Sequence, residues 1–384
     1  MNIHVLLKNK IIAADAIAPI AVELKSRHPA VRFHFIFPSA KAHEMCQRNI
    51  ALYETLSELG KISAFGTLKP GRGSKLISRV KSAARLARLF LVTFMPNTRI
   101  VHFGALERLP FSVLFPLRAK RVVLVDSAFH GFTSGMRALA ALKADRGEVP
   151  PPKAMGGAVV FHEQSFVRAG ALELNVPIYT LAGIHNYPSW TNWLEARRER
   201  WLSRDLRKVV ADSSYALFVL GWLGKIDFID PDRCVGDLLR ETLLAIKEAQ
   251  PGLNVILKPH VITDMAQLDT ILREVDHSRF VVSDVHPSIL FDRARFVISN
   301  YYSTVQSSAR DAGLVTVEYT AQSAAARAVN GGGSSRPDAI SHFIDRDPAA
   351  LVSVIGQLCS TEQPKRLDRA ACVYDDALFE FLSG

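Results

Sequence analysis

Two stretches decide the fold: Asn254-Val255-Ile256-Leu257-Lys258-Pro259-His260 and Phe296-Val297-Ile298-Ser299-Asn300-Tyr301-Tyr302-Ser303-Thr304. Val255 to Leu257 is a short, continuous apolar run, the pattern of a strand covered on both faces. Lys258-Pro259-His260 stops it, because proline has no amide to give a sheet. Helical spacing follows from Met265 to Val275, then a strand from Phe280 to Val282 and a short helix from Pro287 to Arg293. The strand Phe296 to Ile298, a helix to Ala312 closed by Gly313, and the strand Leu314 to Tyr319 complete the series. Strands alternating with helices predict right-handed crossovers and a parallel sheet. Ligands of such sheets collect at the carboxyl ends of the strands. Two of those ends carry anion-compatible groups here. One is Lys258 with His260. The other is Ser299, Asn300, Ser303 and Thr304 at the start of a helix, where the free amides favour negative charge.

The same rhythm runs through the amino-terminal half. Strands are expected at Ile3 to Leu7, Val31 to Phe37, Ile62 to Phe65, Ile100 to Phe103, Val122 to Val125, Ala158 to Phe161 and Ile178 to Leu181. Helices are expected at Ala13 to Arg27 and Lys41 to Leu59. The Trp- and Arg-rich stretch after Pro188 reads as a connection. Two doubly wound α/β domains follow, 1–205 and 206–384, with a last helix from Leu367 to Leu382 free to pack back on the first. The 384 residues are enough for two full cores. Asn330-Gly331-Gly332-Gly333-Ser334-Ser335 reads as a flexible loop and a candidate lid.

The formal charge of +10 suits nucleotides, phosphorylated substrates or an anionic membrane surface. The basic residues look spread along the chain, and neither zinc-finger spacing nor an aromatic-flanked RNA motif occurs, so nucleic acid is not the expected partner. Lys75, Arg79, Lys81, Arg85 and Arg88 alternate with Leu76, Ile77, Val80, Leu86, Leu89 and Phe90, a basic amphipathic helix. It can pack its apolar face on the sheet, approach anionic lipid, or do both edge-on. The four cysteines have no metal-ligand spacing. The pairs Asp230/Asp232 and Asp345/Asp347 follow no apolar strand, so no metal site is expected. The chain opens directly on a strand and shows no apolar run long enough to cross a bilayer. A cytoplasmic location is expected, with peripheral attachment at the inner membrane face if the basic helix docks.

Two tandem domains of this kind look like the GT-B glycosyltransferase fold, with two facing Rossmann-like domains. Lys258-Pro259-His260 is similar to the Lys-x-His-Pro motif of bacterial capsule transferases, of the Kdo and sialic acid type, and of CDP-glycerol glycerophosphotransferases. Ser299-Asn300-Tyr301-Tyr302-Ser303-Thr304 resembles the Ser-Asp-Tyr-Ser-Ser segment of the second family. The match covers about Ala216 to Tyr319. Val261 stands where those families have Pro, Asn300 where the glycerophosphotransferases have Asp, and one aromatic is extra.

The resemblance implies a metal-independent glycosyltransferase with no cofactor beyond its substrate, a nucleotide-activated donor in which a cytidine nucleotide is favoured. The acceptor would be a growing surface polysaccharide, saccharide or lipid-linked. Lys258, His260, Ser299, Asn300, Ser303 and Thr304 would hold the donor phosphates, with Asn300 capping the helix or reading the ribose. Ser303 and Thr304 fit simple helix capping equally well. An inverting transferase also needs a base. Asp126, His130, His162, Glu163 and His185 stand at strand ends of the first domain, and Glu163 and His185 are preferred because their strands come last before the connection. The same architecture resembles the non-hydrolysing UDP-N-acetylglucosamine 2-epimerases, a second reading. A catalytically silent fold-mate in a polysaccharide-assembly complex is the third.

Overall fold

The computed structural model describes residues 1–7, 11–65, 80, 83–84, 87–92, 94–103, 120–125, 158–162, 177–181, 183–212, 214–275, 278–360, 366–368, 371–372 and 374–383. Residues 12, 124, 158–162, 178, 180 and 212 among them are described through their backbone alone. Glu163, Asp126, His130, the loop Lys69–Gly73 and most of the basic stretch 74–94 lie outside the described residues. The described residues form two compact units. Residues 1–125, 158–193 and 372–383 make the first, and 194–371 the second.

The first unit is built on a seven-stranded parallel sheet: β1 Asn2–Leu6, β2 Arg32–Phe37, β3 Gly60–Ala64, β4 Thr98–His102, β5 Val122–Val125, β6 Ala158–His162 and β7 Ile178–Leu181. The spatial order is β3-β2-β1-β4-β5-β6-β7. The chain reverses between β1 and β4, as in a doubly wound fold. Helices α1 Ile12–Arg27, α2 Ala40–Arg48 and α3 Ile50–Leu59 lie among the first three strands. The single helix expected from Lys41 to Leu59 is two. Asn49 leaves the helical region (φ −92, ψ 87), and its side chain accepts from Leu52 N, capping the second helix. An Asn side chain competes with the helical backbone in this way.

The segment joining the units contains α4 Pro188–Glu195, α5 Arg198–Trp201 and α6 Arg204–Asp212. The second unit has six parallel strands: β8 Tyr215–Val219, β9 Asn254–Lys258, β10 Phe280–Val282, β11 Ala294–Ser299, β12 Val315–Thr320 and β13 His342–Asp345. Their order is β10-β9-β8-β11-β12-β13. Every residue of β8 and of β12 is buried, as expected of strands covered on both faces. Helices α7 Val235–Ala249, α8 Met265–Val275, α9 Thr304–Asp311, α10 Ala324–Asn330 and α11 Pro348–Cys359 complete the unit. Leu238, Leu239, Leu243 and Ile246 of α7 and Leu351 and Ile355 of α11 pack with Val255, Leu257, Ile298 and Val317 in one core.

Several expectations differ from the structure. The edge strand β13 was not foreseen, because four residues are too short to show a period. Asp345 ends β13, so this Asp pair does stand at a strand end; Asp345 pairs with Arg327 at 2.8 Å, and Asp347 caps α11 by accepting from Ala350 N. Asp230 pairs with Arg346 at 2.6 Å. Pro287 to Arg293 is a single 3₁₀ turn, Pro287–Leu290. The terminal helix is shorter than expected: α12 spans Asp376–Ser383, because Leu367 N is already bound to Gly313 O. In the first unit α12 meets Arg27, whose guanidinium pairs with Glu23 and Asp376 and lies 4.5 Å from the Phe379 ring centre. The glycine-rich stretch is a tethered cap rather than a lid. Gly331 (φ 62) and Gly332 (φ 75) end α10 in the left-handed region that glycine tolerates. Gln322 Nε2 donates to Gly333 O, and the buried Ser334 hydroxyl donates to Glu318.

Candidate functional site

β8 and β11 are neighbours, yet the chain leaves β8 for β9 on one side and β12 follows β11 on the other. The loops after β8 and β11 therefore diverge, and a crevice opens at their carboxyl ends. A cavity of about 240 Å³ occupies it, lined among others by Gly221, His260, Ile262, Tyr301, Ser303 and Thr304. Asn300 also lines it. Four of the six residues expected to hold a donor thus line one cavity; Lys258 and Ser299 do not.

Two helices begin at this crevice, and they differ. The first amides of α7 are occupied by its own loop: Val235 N donates to Gly224 O and Gly236 N to Leu223 O. The start of α9 is more open. Ser303 is its N-cap, and Gln306 returns a side-chain oxygen to Ser303 N at 3.1 Å, a capping box. The Ser303 hydroxyl accepts from Val305 N. Thr304, the first helical residue, has no partner for its amide or its hydroxyl among the described residues. An anion at α9 would find these donors and the helix dipole.

His260 is exposed on the loop after β9. Its Nδ1 accepts from Ile262 N at 3.3 Å, so the neutral ring carries its proton on Nε2. Thr263 Oγ1 accepts from His260 N and donates to Gly221 O at 2.8 Å, tying this loop to the loop after β8. The Tyr301 hydroxyl accepts from Trp222 N at 2.7 Å and ties the loop after β11 to the same place. Burial raises the Tyr301 pKa, so the phenol stays neutral. Thr263 and Gly221 were not singled out from the sequence, and Tyr301 stood in the second motif without a role of its own.

Two expected roles are corrected. Asn300 does not cap α9, whose N-cap is Ser303. It is buried, and its two amide hydrogens go to Thr242 Oγ1 at 2.9 Å and Tyr319 O at 3.2 Å. It shares the core-facing side of its strand with Ile298, which turns it toward α7. Ser299 is buried, and its hydroxyl closes the local turn on Tyr301 O at 2.6 Å. Lys258 donates to Pro259 O at 3.1 Å at the end of β9.

In the first unit, Gly183 adopts a left-handed conformation (φ 61) and starts a 3₁₀ turn, Ile184–Asn186. His185 on this turn places Nε2 3.3 Å from Asp15 Oδ1, in the first turn of α1. The Cys372 thiol meets the carbonyls of Gly183 and Asn186, and Tyr187 stacks on Tyr374 at 4.3 Å, so the turn is held from the carboxyl-terminal segment as well. A carboxylate that fixes an imidazole is the usual partner of a proton acceptor. Asp15 was missed in the sequence; an acid in the first turn of the helix after the first strand was the available signal. His162 ends β6.

No family model matches the chain, and no curated protein is similar to it in sequence. Solved structures are similar in fold. UDP-GlcNAc 2-epimerase from Methanocaldococcus jannaschii superposes with a TM-score of 0.54 at 12% identity, over 96% of this chain and 94% of the other. Its complex with UDP-GlcNAc and UDP gives 0.51 at 12% identity, over 95% of each chain. A candidate UDP-N-acetylglucosamine 2-epimerase of Listeria monocytogenes gives 0.54 at 11%, over 96% of this chain and 92% of that one. The fold is GT-B-like. At such identity the likeness extends to the fold, two Rossmann-like α/β domains, and those neighbours are nucleotide-sugar enzymes.

Proposed function

We propose that this protein is a nucleotide-sugar enzyme, foremost a glycosyltransferase that uses a nucleotide-activated donor to extend a surface polysaccharide. The observation that carries the reading is the cavity at the β8/β11 switch point, where His260 and Thr304 from the two sequence motifs line one space. The imidazole Nε2–H and the Thr304 donors at the start of α9 would stabilise charge growing on the leaving phosphate. A cytidine nucleotide is favoured by the motif resemblance alone. His185, oriented by Asp15, is the first unit's proton acceptor. Calorimetric titration with CMP, CDP and UDP tests the donor site. Binding that weakens at least about tenfold in His260→Ala and Thr304→Val supports it, since hydrogen bonds to charged groups are each worth about 1.5–3 kcal/mol. No binding of any nucleotide at millimolar concentration removes it.

The fold neighbours favour a second reading, epimerisation of the donor itself. The two readings separate on one assay. Conversion of UDP-GlcNAc to its C2 epimer without any acceptor, followed by proton NMR, selects the epimerase.

A further inference from the structure

The basic excess of the chain is not evenly spread. Between Glu58 and Asp126 stand 13 Lys or Arg and a single acid, Glu107, whereas the whole chain has 47 basic and 37 acidic residues. The remainder is therefore close to neutral. Within this region the first unit also exposes apolar side chains. Leu91 is 64% exposed, Phe94 53% and Met95 57%. They do not hang from a loose end. Leu89, two residues before Leu91, is buried against Leu6, Ile36, Ile100 and Val122. Phe90 packs edge-on against Phe94 at 5.3 Å, and Arg121 donates to the Met95 carbonyl. Asn97 (φ 57) closes the turn, its carbonyl accepting from Asn2 N. The turn thus sits at the amino-terminal edge of the sheet, where β1, β4 and β5 begin, with Arg88 and Lys120 exposed beside it.

We propose that this edge of the first unit is a docking surface for an anionic bilayer, with Leu91, Phe94 and Met95 entering the interface and Arg88 and Lys120 meeting lipid phosphates. Charge complementarity selects the occupant. Exposed Arg88 and Lys120 beside exposed apolar side chains, in a stretch of sequence rich in Lys and Arg, match an interfacial segment, in which both features contribute. Nucleic acid would use the charge and leave Leu91 and Met95 without a role. The surface includes no residue of the cavity, so it stands or falls apart from the proposed activity.

The test is cosedimentation of the full chain with vesicles of phosphatidylcholine alone and of phosphatidylcholine with phosphatidylglycerol, at low and high salt. Binding is expected on the anionic vesicles and is expected to fall with salt. Two independent double variants, Phe94→Ser/Met95→Ser and Arg88→Glu/Lys120→Glu, should each weaken it by at least about tenfold. These side chains are exposed, so the thermal midpoint should hold; if one variant is destabilised, the other still decides. Absent binding, equal binding to neutral vesicles, or wild-type binding by either folded variant overturns the proposal. So does duplex DNA that displaces the vesicles while the apolar variant binds it normally. A dimer, seen by light scattering, that Phe94→Ser/Met95→Ser abolishes and that excludes vesicles would assign the face to a second copy of the chain.

Discussion

The Tyr301 hydroxyl occupies the place that a β-carbon on Gly221 would need: such a carbon would lie 1.6 Å from the phenolic oxygen and 2.4 Å from Cζ. The loops after β8 and β11 can close on each other only because residue 221 has no side chain. Real β-carbons do not approach heavy atoms so closely, and an aromatic ring packed against Phe228 at 5.4 Å has little freedom to retreat.

Gly221→Ala should therefore push Tyr301 aside and free Trp222 N, lowering stability by about 1–3 kcal/mol. Nucleotide binding at the cavity should weaken with it. Adding Tyr301→Leu should cost much less in the Gly221→Ala background than alone, because the clash is removed. Thermal unfolding of the four proteins of this cycle measures the coupling; strict additivity would show that the two residues do not compete for space.

Asn300 stands where the resembling glycerophosphotransferases have Asp, and its neighbours explain why this chain needs the amide. Both partners, Thr242 Oγ1 and Tyr319 O, accept, and the Thr242 hydroxyl proton is already given to Leu238 O at 2.7 Å. Asn300→Asp would set carboxylate oxygens against two acceptors in a buried place. A loss of about 3 kcal/mol or more is expected at neutral pH, shrinking in acid as the carboxyl takes a proton. Denaturant melts at two pH values check both magnitude and sign.

Much of this molecule is legible in its sequence, for stated reasons. Parallel strands buried on both faces, such as Val255–Leu257 and Phe296–Ile298, read as continuous apolar runs, and the switch-point rule then locates the crevice. What escapes is whatever depends on distant partners. The side chain of Asn300 is decided by Thr242, 58 residues away. The closure of α7's first amides by Leu223 and Gly224 leaves no mark in composition. Asp15 finds His185 across 170 residues of chain. Asn49, which splits one expected helix in two, carried a capping signal that a purely periodic reading passes over.

His4 and His34 make the first unit acid-sensitive. Their Nδ1 atoms lie 3.3 Å apart on neighbouring strands, and His34 Nε2 meets Ser63 Oγ at 2.8 Å. One proton fits between the rings and two do not. Burial first, then the positive charge of His34 and Arg88, lowers the His4 pKa to about 4. Its folded pKa is below the unfolded value of 6.5, so the unfolded chain binds the proton more readily and stability falls as pH drops through that window. His4→Gln should flatten the pH dependence between 6.5 and 4. A variant with the wild-type slope there would assign the acid sensitivity to other groups.

Glu318 works with the opposite sign in the second unit. It is a carboxyl on the buried strand β12, its Oε2 accepting from Ser334 at 2.6 Å. Desolvation raises its pKa from 4.5 to about 7, against the smaller opposing effect of the Ser334 hydrogen bond. The folded state therefore holds this proton more tightly than the unfolded chain. Its stabilising effect is complete below pH 4.5 and is lost as the pH rises through 7. A change on the order of 3 kcal/mol is involved, at about 1.4 kcal/mol per pH unit. Glu318→Gln keeps the shape and an oxygen to accept from Ser334, yet carries no charge at any pH. It should match the wild type near pH 4, exceed it in stability at pH 8, and keep the Ser334 tether of the glycine-rich cap. Denaturant melts of both proteins across this range give the comparison. If wild type and variant run parallel from pH 4 to pH 8, Glu318 is not the titrating group.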